Sequence, residues 1–286
     1  MISAVKKLLK KIFRKIGLWS IEEQVLVKQY QVACGATLNG KNVLITGGTS
    51  GIGLAIAKKC LEEGANVVVA GRNEQKLNKV LSLDVTGRLK GLIWDVADLS
   101  IANKRIDVVR GMFGSEINVL VNNAGISIRE KPGLLTEKVW DEVLRINLTA
   151  PIFIAQEMAN VWISNSSEGC VLNISSMAGL EPSLDAYSVA KSGLNSMTKG
   201  MARIWAQNGI RVNALAVGVT IGTELRDIQR THTPDGDLKC PWIPIGRFAV
   251  PDEIAETAAY LISDRAAYLT GAVVECDGAG SIAFGS

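Results

Sequence analysis

The sequence has few of the residues from which metal centres and nucleophilic triads are built. Its 286 residues include one histidine, His232, which excludes a centre with several histidine ligands and argues against a Ser-His-Asp triad. The five cysteines are widely spaced and form no Cys-x-x-Cys pair: Cys34, Cys60, Cys170, Cys240 and Cys276. This pattern is typical of reduced thiols, so we expect a cytoplasmic protein without a bound metal.

Long apolar runs and linkers are missing as well. No stretch of 18 consecutive apolar residues occurs, which predicts that no segment spans a membrane. We find no internal repeat and no connection rich in proline, glycine or serine. Roughly 250 residues suffice for one large α/β domain with a substantial core, and we predict a single such domain.

Acidic residues are absent from the beginning of the chain. None precedes Glu22, whereas residues 1–16 contain six basic side chains: Lys6, Lys7, Lys10, Lys11, Arg14 and Lys15. Without these six, 25 basic residues stand against 28 acidic ones, a net charge of −3 behind an overall +3. A mildly acidic body therefore follows a basic arm, which argues against a nucleic-acid partner.

The basic arm has the pattern of an amphipathic helix over residues 1–17. Apolar side chains recur at positions 5, 8, 9, 12, 13 and 16, and the basic residues fall between them. Three interpretations stay open: a helix lying on an anionic membrane, a targeting peptide, or a helix docked on its own domain or on a partner subunit. We assign residues 1–39 to this helix and a connector, and residues 40–286 to the main domain.

From residue 41 onward, strand and helix patterns alternate. Predicted strands cover residues 41–45, 66–70, 91–94, 117–121, 170–174, 211–216 and 272–276, and predicted helices cover 52–63, a stretch from 74, 140–158, 186–207 and 253–261. Continuous apolar strands separated by helices indicate a parallel sheet covered on both faces. The sequence thus predicts a doubly wound Rossmann domain of the α/β class with about seven strands.

The first predicted strand runs into a glycine-rich turn, TGGTSGIG, at residues 46–53. Glycine permits a tight turn and a close approach of the backbone to a diphosphate. The N-terminus of the following helix offers free N–H groups and a partial positive charge. We therefore expect a dinucleotide to contact Gly47, Thr49, Ser50, Gly51, Ile52 and Gly53.

The spacing T-G-x-x-x-G-x-G resembles that of the short-chain dehydrogenase/reductase family. Further motifs of the family follow in order: NNAG at 122–125, Asn147, NISS at 173–176, YSVAK at 187–191, RVNA at 211–214 and CDG at 276–278. The resemblance covers residues 41–281 and excludes the extended branch, whose turn usually reads T-G-x-x-G-x-x-G. The nearest subtypes are 3-oxoacyl-carrier-protein reductases and sugar or polyol dehydrogenases.

The end of the second strand predicts the cofactor. An acidic residue there would bind the ribose 2′-hydroxyl of NAD, but this chain has Arg72, which can pair with the 2′-phosphate of NADP. We expect NADP(H) in preference to NAD(H); the alternative is that Arg72 is an ordinary solvated loop residue. The resemblance also implies that Asp95 and Val96 border the adenine and that Asn123 lies near the adenosine ribose.

A tyrosine and a lysine four residues apart predict the chemistry. Tyr187 and Lys191 project from one face of a helix, and a nearby ammonium lowers the pKa of a phenol from about 10. Tyr187 can then exchange a proton with a substrate oxygen while hydride moves to or from the nicotinamide. The resemblance implies that Lys191 also holds the nicotinamide ribose, that Ser176 bonds to the reacting group, and that Asn147 helps to hold a water relay.

The spacing before Tyr187 departs from the family pattern. Ser176 precedes the tyrosine by eleven residues, where thirteen is usual, which leaves Ser175 as a second candidate. The usual Pro-Gly after the sixth strand is Val217-Gly218 here, and the missing proline removes a fixed φ.

The threonine that normally follows comes one residue late, at Thr223, with Thr220 in front of it. We assign both threonines to the cofactor's amide or phosphate region. Residues 220–247 form the expected substrate lid. The polar character of the lid suits a polar or sugar-like substrate somewhat better than a steroid, although a merely solvated lid face fits the pattern as well.

The sequence therefore predicts an oxidoreductase that interconverts a carbonyl and a secondary alcohol. The alternative is a catalytically silent protein of the same fold that binds a dinucleotide as a sensor or scaffold. By resemblance we expect a homotetramer or homodimer, since residues 140–160 and 186–207 carry apolar faces of suitable length.

Overall fold

A computed structural model of the chain describes residues 36–128, 133–222 and 239–282. These residues build one sheet of seven parallel strands in the order β3-β2-β1-β4-β5-β6-β7. The strands are β1 (Asn42–Thr46), β2 (Asn66–Gly71), β3 (Leu89–Ile93), β4 (Val119–Asn122), β5 (Gly169–Ser176), β6 (Ile210–Val217) and β7 (Val273–Cys276). The predicted α/β class and the seven-stranded parallel sheet are confirmed.

Seven helices cover the sheet in the described part of the chain. They are α1 (Gly51–Glu62), α2 (Glu74–Leu81), α3 (Ala102–Gly111), α4 (Glu137–Leu144), α5 (Ala150–Ser164), α6 (Ala186–Trp205) and α7 (Pro251–Ile262). The described residues contain no helix that is both long and apolar enough to cross a membrane.

The apolar strand sequences follow from burial on both faces of the sheet. Successive strand residues point to opposite sides, so Val43 and Ile45 pack with α1 and α7, whereas Leu44 packs against α3 and α5. All three are fully buried. This two-sided core explains why β1 shows a continuous apolar run and no alternation.

The structure corrects two details of the predicted helices. Helix α3 was not predicted, because only Ala102, Ile106 and Val109 of it are buried. The single helix predicted over residues 140–158 is in fact α4, a π-helical turn (Arg145–Thr149) and α5. The π-turn coincides with Asn147, whose side chain bonds to the backbone of Val143 and of a neighbouring loop.

The last part of the predicted lid, from residue 239 onward, is tied to α7. Cys240, Ile243 and Phe248 form a small apolar cluster of their own, and Arg247 forms two hydrogen bonds of 2.8 and 2.6 Å with the carboxylate of Glu253. The four cysteines that the structure describes carry free thiols. The helix predicted for residues 1–17, Cys34, Thr223 and His232 lie outside the described residues.

Candidate active site

A cleft of about 1060 Å³ opens at the carboxyl ends of the strands. It lies where the strand order reverses between β1 and β4, the usual place for a ligand in a doubly wound sheet. The predicted site residues that line it are Gly47, Thr49, Ser50, Gly51, Ile52, Arg72, Asp95, Val96, Asn123, Ser176, Tyr187, Lys191 and Thr220. Of the predicted site residues that the structure describes, two do not line it: Gly53 is buried within α1, and Asn147 is fully buried behind the cleft.

The glycine-rich turn after β1 needs its glycines for close backbone contacts. Gly47 has φ +64°, and a Cβ there would lie 2.9 Å from the Cα of Ala124. A Cβ on Gly53 would collide with the side chain of Asn123 and the carbonyl of Gly47. The Asn123 amide donates hydrogen bonds of 3.1 and 3.0 Å to the carbonyls of Thr46 and Gly47. Asn123, which we expected near the adenosine ribose, therefore also holds the turn in shape.

The N-terminus of α1 is open toward the cleft. Asn73, Thr136 and Asp185 cap α2, α4 and α6 with their side chains, whereas the Ser50 side chain makes no such bond at α1. The first N–H groups of α1 are thus left for another acceptor, and together with the helix dipole they suit a phosphate. The turn, the helix end and the length of the cleft fit a dinucleotide.

Arg72 and Asp95 mark one end of the cleft. Their closest charged atoms, Nη1 and Oδ2, are 3.9 Å apart, and the Arg72 side chain is 62% exposed. An exposed pair at this separation holds the guanidinium only weakly. Arg72 therefore remains able to turn toward an anionic group bound in the cleft. Val96 beside them is buried at 8% exposure and supplies an apolar surface.

Tyr187 and Lys191 meet at the other end of the cleft. The Lys191 Nζ lies 5.6 Å from the centroid of the Tyr187 ring and donates a 2.8 Å hydrogen bond to the carbonyl oxygen of Ile174. Lys191 is 4% exposed, and burial lowers the pKa of its ammonium to about 8. A positive charge therefore sits next to the phenol ring and can be given up close to neutral pH.

The structure distinguishes the two neighbouring serines. Ser175 is buried, and its hydroxyl donates a 3.4 Å hydrogen bond to the backbone carbonyl of Lys191. Ser176 ends β5, and its Oγ accepts a hydrogen bond of 3.2 Å from the N–H of Ala178. Because the oxygen is the acceptor in that bond, the Ser176 hydroxyl can still donate a hydrogen bond to a ligand. The short spacing to Tyr187 thus still brings Ser176 and the tyrosine to the same cleft.

Asn147 supports the site from behind. Its Oδ1 accepts a 3.2 Å hydrogen bond from the N–H of Ile126, and its Nδ2 donates 2.8 and 2.9 Å bonds to the carbonyls of Ile126 and Val143. Ile126 follows the NNAG motif and lines the cleft. The π-turn therefore fixes the loop that forms one wall of the site.

Thr220 is the first residue of the segment predicted to form the substrate lid. It is buried at 4% exposure, and its hydroxyl donates a 3.1 Å hydrogen bond to the carbonyl of Gly218. It also forms a β-bridge with Ala249. The bridge brings the first residue of the predicted lid next to the chain just after its last residue, and Thr220 lines the cleft.

Sequence reasoning missed two parts of the site. The carbonyl of Ile174 belongs to the backbone, so its bond to Lys191 cannot be predicted from the residue type. Glu181 lines the cleft from the short loop between β5 and α6, and the only sequence signal for it was the unusual length of that loop.

The fold and this cleft define a dinucleotide-dependent oxidoreductase. A family model described as enoyl-(acyl carrier protein) reductase matches residues 47–280. The 3-oxoacyl-[acyl-carrier-protein] reductase of Thermotoga maritima is 32% identical over 245 residues, which cover 84% of this chain and 98% of that protein. The D-threitol dehydrogenase of Mycolicibacterium smegmatis is 36% identical over 247 residues, 84% of this chain and 93% of that protein.

Solved structures agree. A gluconate 5-dehydrogenase from Burkholderia cenocepacia, crystallised with NADP and tartrate, superposes with a TM-score of 0.77 at 30% identity, covering 85% of this chain and 96% of that one. The chain belongs to the short-chain dehydrogenase/reductase family and is an NAD(P)-dependent oxidoreductase.

Proposed function

We propose that the protein interconverts a carbonyl and a secondary alcohol with NADP(H), using Tyr187, Lys191, Ser176 and Asn147. The observation that carries this proposal is the single cleft that joins an open helix N-terminus at the glycine-rich turn to a tyrosine beside a buried lysine. One end suits a dinucleotide phosphate, and the other suits proton transfer.

In the direction of reduction, the Tyr187 hydroxyl gives its proton to the carbonyl oxygen of the substrate. When NADP(H) is bound, its nicotinamide would supply the hydride in this direction and accept it in the other. The Ser176 hydroxyl donates a hydrogen bond to the same substrate oxygen and orients it. Lys191 stabilises the tyrosinate through its charge and passes a proton back to it, after which the lysine takes up a proton from water. Asn147 acts as a positioning residue, because its bonds fix the loop at Ile126.

The preference for NADP(H) rests on Arg72. Its guanidinium is largely exposed at the nucleotide end of the cleft, with only a 3.9 Å approach to Asp95. A 2′-phosphate would receive a charge-assisted hydrogen bond from it. The gluconate 5-dehydrogenase crystallised with NADP supports this choice.

The proposed activity is tested by the change in NADPH absorbance with a panel of ketones, keto sugars and keto-acyl thioesters. We expect oxidation of NADPH with at least one class of carbonyl compound. Binding of NADPH without turnover of any compound would favour the silent sensor or scaffold instead. Among the relatives, the names D-threitol dehydrogenase and gluconate 5-dehydrogenase favour polyhydroxy compounds as the first substrates to test.

We also propose that the enzyme forms a homodimer or homotetramer. Helix α5 exposes Phe153 and Ile163, and α6 exposes Met197 and Ile204. Apolar side chains collected on two adjacent helices are typical of an interface. Sedimentation equilibrium measures the mass directly, and a monomer at micromolar concentration would contradict the proposal.

For residues 1–17, the amphipathic pattern supports peripheral binding to an anionic membrane. Cosedimentation with vesicles containing anionic lipid, at low and high salt, tests it with the full chain and a variant lacking residues 1–17. If both remain in the supernatant, the membrane proposal fails and a docked helix becomes the better account.

A further inference from the structure

Two large apolar side chains line the cleft and are exposed to solvent there. Leu184, two residues before the start of α6, is 83% exposed, and Trp242, in the last part of the predicted lid, is 45% exposed. Apolar surface that stays exposed in a ligand cleft is stabilised when an apolar group of the ligand covers it. The position of these side chains relative to Tyr187 decides which part of a ligand that is.

Leu184 lies at the catalytic end of the cleft. The next residue, Asp185, caps α6 by accepting a 2.9 Å hydrogen bond from the N–H of Ser188. This cap fixes the chain at the first turn of α6, the turn that carries Tyr187. The Asp185 carboxylate also accepts bonds from the hydroxyls of Ser183 and Ser188, so the protein itself uses its oxygens. An apolar side chain is therefore held within one helical turn of the proposed proton donor.

Trp242 is carried by a short turn with many internal bonds. The N–H groups of Ile243 and Gly246 donate hydrogen bonds of 3.0 and 2.7 Å to the carbonyls of Cys240 and Ile243, and the Cys240 N–H donates a 2.8 Å bond to the Gly246 carbonyl. The side chains of Cys240 and Ile243 are buried in a cluster with Phe248. The backbone that carries the indole ring is thus fixed before a substrate arrives, which favours selective binding.

This turn packs at the carboxyl ends of the last strands. The N–H of Ile245 donates a 3.2 Å hydrogen bond to the carbonyl of Gly278, which follows β7. Two residues further on, Gly280 lies against the residue after Ser176, since a Cβ on Gly280 would be 2.9 Å from the Cε of Met177. The turn therefore borders the half of the sheet formed by β5, β6 and β7, away from the nucleotide end at β1 and β2.

The described part of the lid offers an aromatic ring to the cleft and no charge. We expected a polar lid over residues 220–247, but within its described part only Thr220 and Trp242 line the cleft. The guanidinium of Arg247 is bonded instead to the carboxylate of Glu253. This part of the wall suits a carbon framework better than a charged group.

We propose that Trp242 and Leu184 determine specificity by binding an apolar substituent, alkyl or aromatic, next to the carbonyl that reacts at Tyr187. The proposal rests on the carbonyl reductase activity proposed above. It assigns the substrate class as ketones with one large apolar substituent and the corresponding secondary alcohols. Polyhydroxy compounds, which the names of the relatives favour, would place hydroxyl groups against these side chains and gain less from them.

The test follows NADPH oxidation with 2-alkanones from 2-butanone to 2-octanone, in which the methyl group beside the carbonyl is constant and the other chain grows. Trp242→Ala removes the ring, Trp242→Phe keeps an aromatic ring, and Leu184→Ala removes the second apolar side chain. The controls are Tyr268→Ala and Leu83→Ala, which shorten an exposed tyrosine and an exposed leucine outside the cleft.

For wild type we expect kcat/KM to rise about two- to fourfold with each added methylene, because full burial of a methylene is worth about fourfold. Trp242→Ala should lower kcat/KM for 2-octanone about tenfold or more and change that for 2-butanone by less than about twofold. Trp242→Phe should keep most of the dependence on chain length, and Leu184→Ala should lose a smaller part of it than Trp242→Ala. Both controls should match wild type.

Three results would overturn the proposal: no rise of kcat/KM with chain length in wild type, the same rise in Trp242→Ala and Leu184→Ala as in wild type, or an equal loss for every ketone in Trp242→Ala. The third would mean that the ring supports the site as a whole. Because Leu184 is 83% exposed, its replacement removes little packing and keeps the test decisive even if Trp242→Ala does not fold.

Failure of this proposal is distinguishable from failure of the proposed activity. If wild type binds NADPH yet reduces no carbonyl compound, the proposed activity itself fails. If it reduces short and long ketones equally well, the activity stands and only the assignment of Trp242 and Leu184 fails.

Discussion

The Nζ atom of Lys191 donates a 2.8 Å hydrogen bond to the carbonyl oxygen of Ile174. This bond joins α6 to β5, the strand that ends at Ser176. It satisfies one of the three ammonium donors within the protein, while burial still lowers the pKa of the group to about 8. Burial therefore makes the charged form of Lys191 unfavourable in the folded protein. The size of this penalty can be measured from how the free energy of unfolding changes with pH.

Replacing Lys191 by methionine tests this penalty. Lysine has a pKa of about 10.4 in an unfolded chain, whereas that of Lys191 is lowered to about 8. Between these values the unfolded state binds more protons, so the free energy of unfolding of the wild type rises with pH. We expect wild type to gain roughly 3 kcal/mol relative to Lys191→Met between pH 7.5 and about 10.5.

Urea denaturation of both proteins across this pH range, without cofactor, gives the difference. An exposed lysine such as Lys79, replaced by methionine, should show no pH-dependent difference. If the difference in the free energy of unfolding between wild type and Lys191→Met does not change with pH, burial does not lower the pKa of this ammonium.

Replacing Tyr187 by phenylalanine removes the proposed proton donor and keeps the ring. We expect kcat to fall by about 10²- to 10⁴-fold, the usual contribution of a positioned general acid. Because the phenol is assigned to the reacting oxygen, the Kd for NADPH should change little. Stopped-flow turnover and fluorescence titration with NADPH measure the two quantities.

Tyr268, which is fully exposed, provides the matched control. Tyr268→Phe should behave as wild type in both measurements. A normal kcat in Tyr187→Phe would remove the tyrosine from the mechanism and leave Ser176 and Lys191 without their proposed partner.

Replacing Arg72 by alanine should change the choice of cofactor. We expect kcat/KM for NADPH to fall by about ten- to hundredfold, the value of a charge-assisted hydrogen bond, and kcat/KM for NADH to stay the same or rise. Lys79→Ala on the exposed face of α2 removes the same charge nearby and should leave both values unchanged. Equal use of both cofactors by the wild type would contradict the preference for NADP(H).

The glycine-rich turn and the pair formed by Tyr187 and Lys191 could be predicted from sequence, because these features are local. A buried strand such as β1 is recognised by its apolar run, and the glycine-rich turn follows that run directly. The spacing of Tyr187 and Lys191 needs only a helix to place both on one face. Each of these inferences depends on residues within a few positions of one another.

The parts that sequence analysis missed depend on tertiary contacts. The bond between Lys191 and the Ile174 carbonyl forms only when β5 and α6 pack together. The π-turn at Asn147 stayed hidden because apolar residues continue on both sides of it, from Val143 to Ile154. The extra residue in that turn is stabilised by contacts with a loop about twenty positions away.

Replacing Asn147 by alanine separates the effect of this side chain on stability from its effect on catalysis. Asn147→Ala leaves the backbone groups of Ile126 and Val143 without their side-chain partners, so we expect the free energy of unfolding to fall by about 2 kcal/mol. If Asn147 positions the cleft wall, kcat should also fall, about tenfold or more, at temperatures where the variant is fully folded. Asn78→Ala on the exposed side of α2 should change neither quantity appreciably. Loss of stability with an unchanged kcat in the folded variant would restrict Asn147 to a structural role.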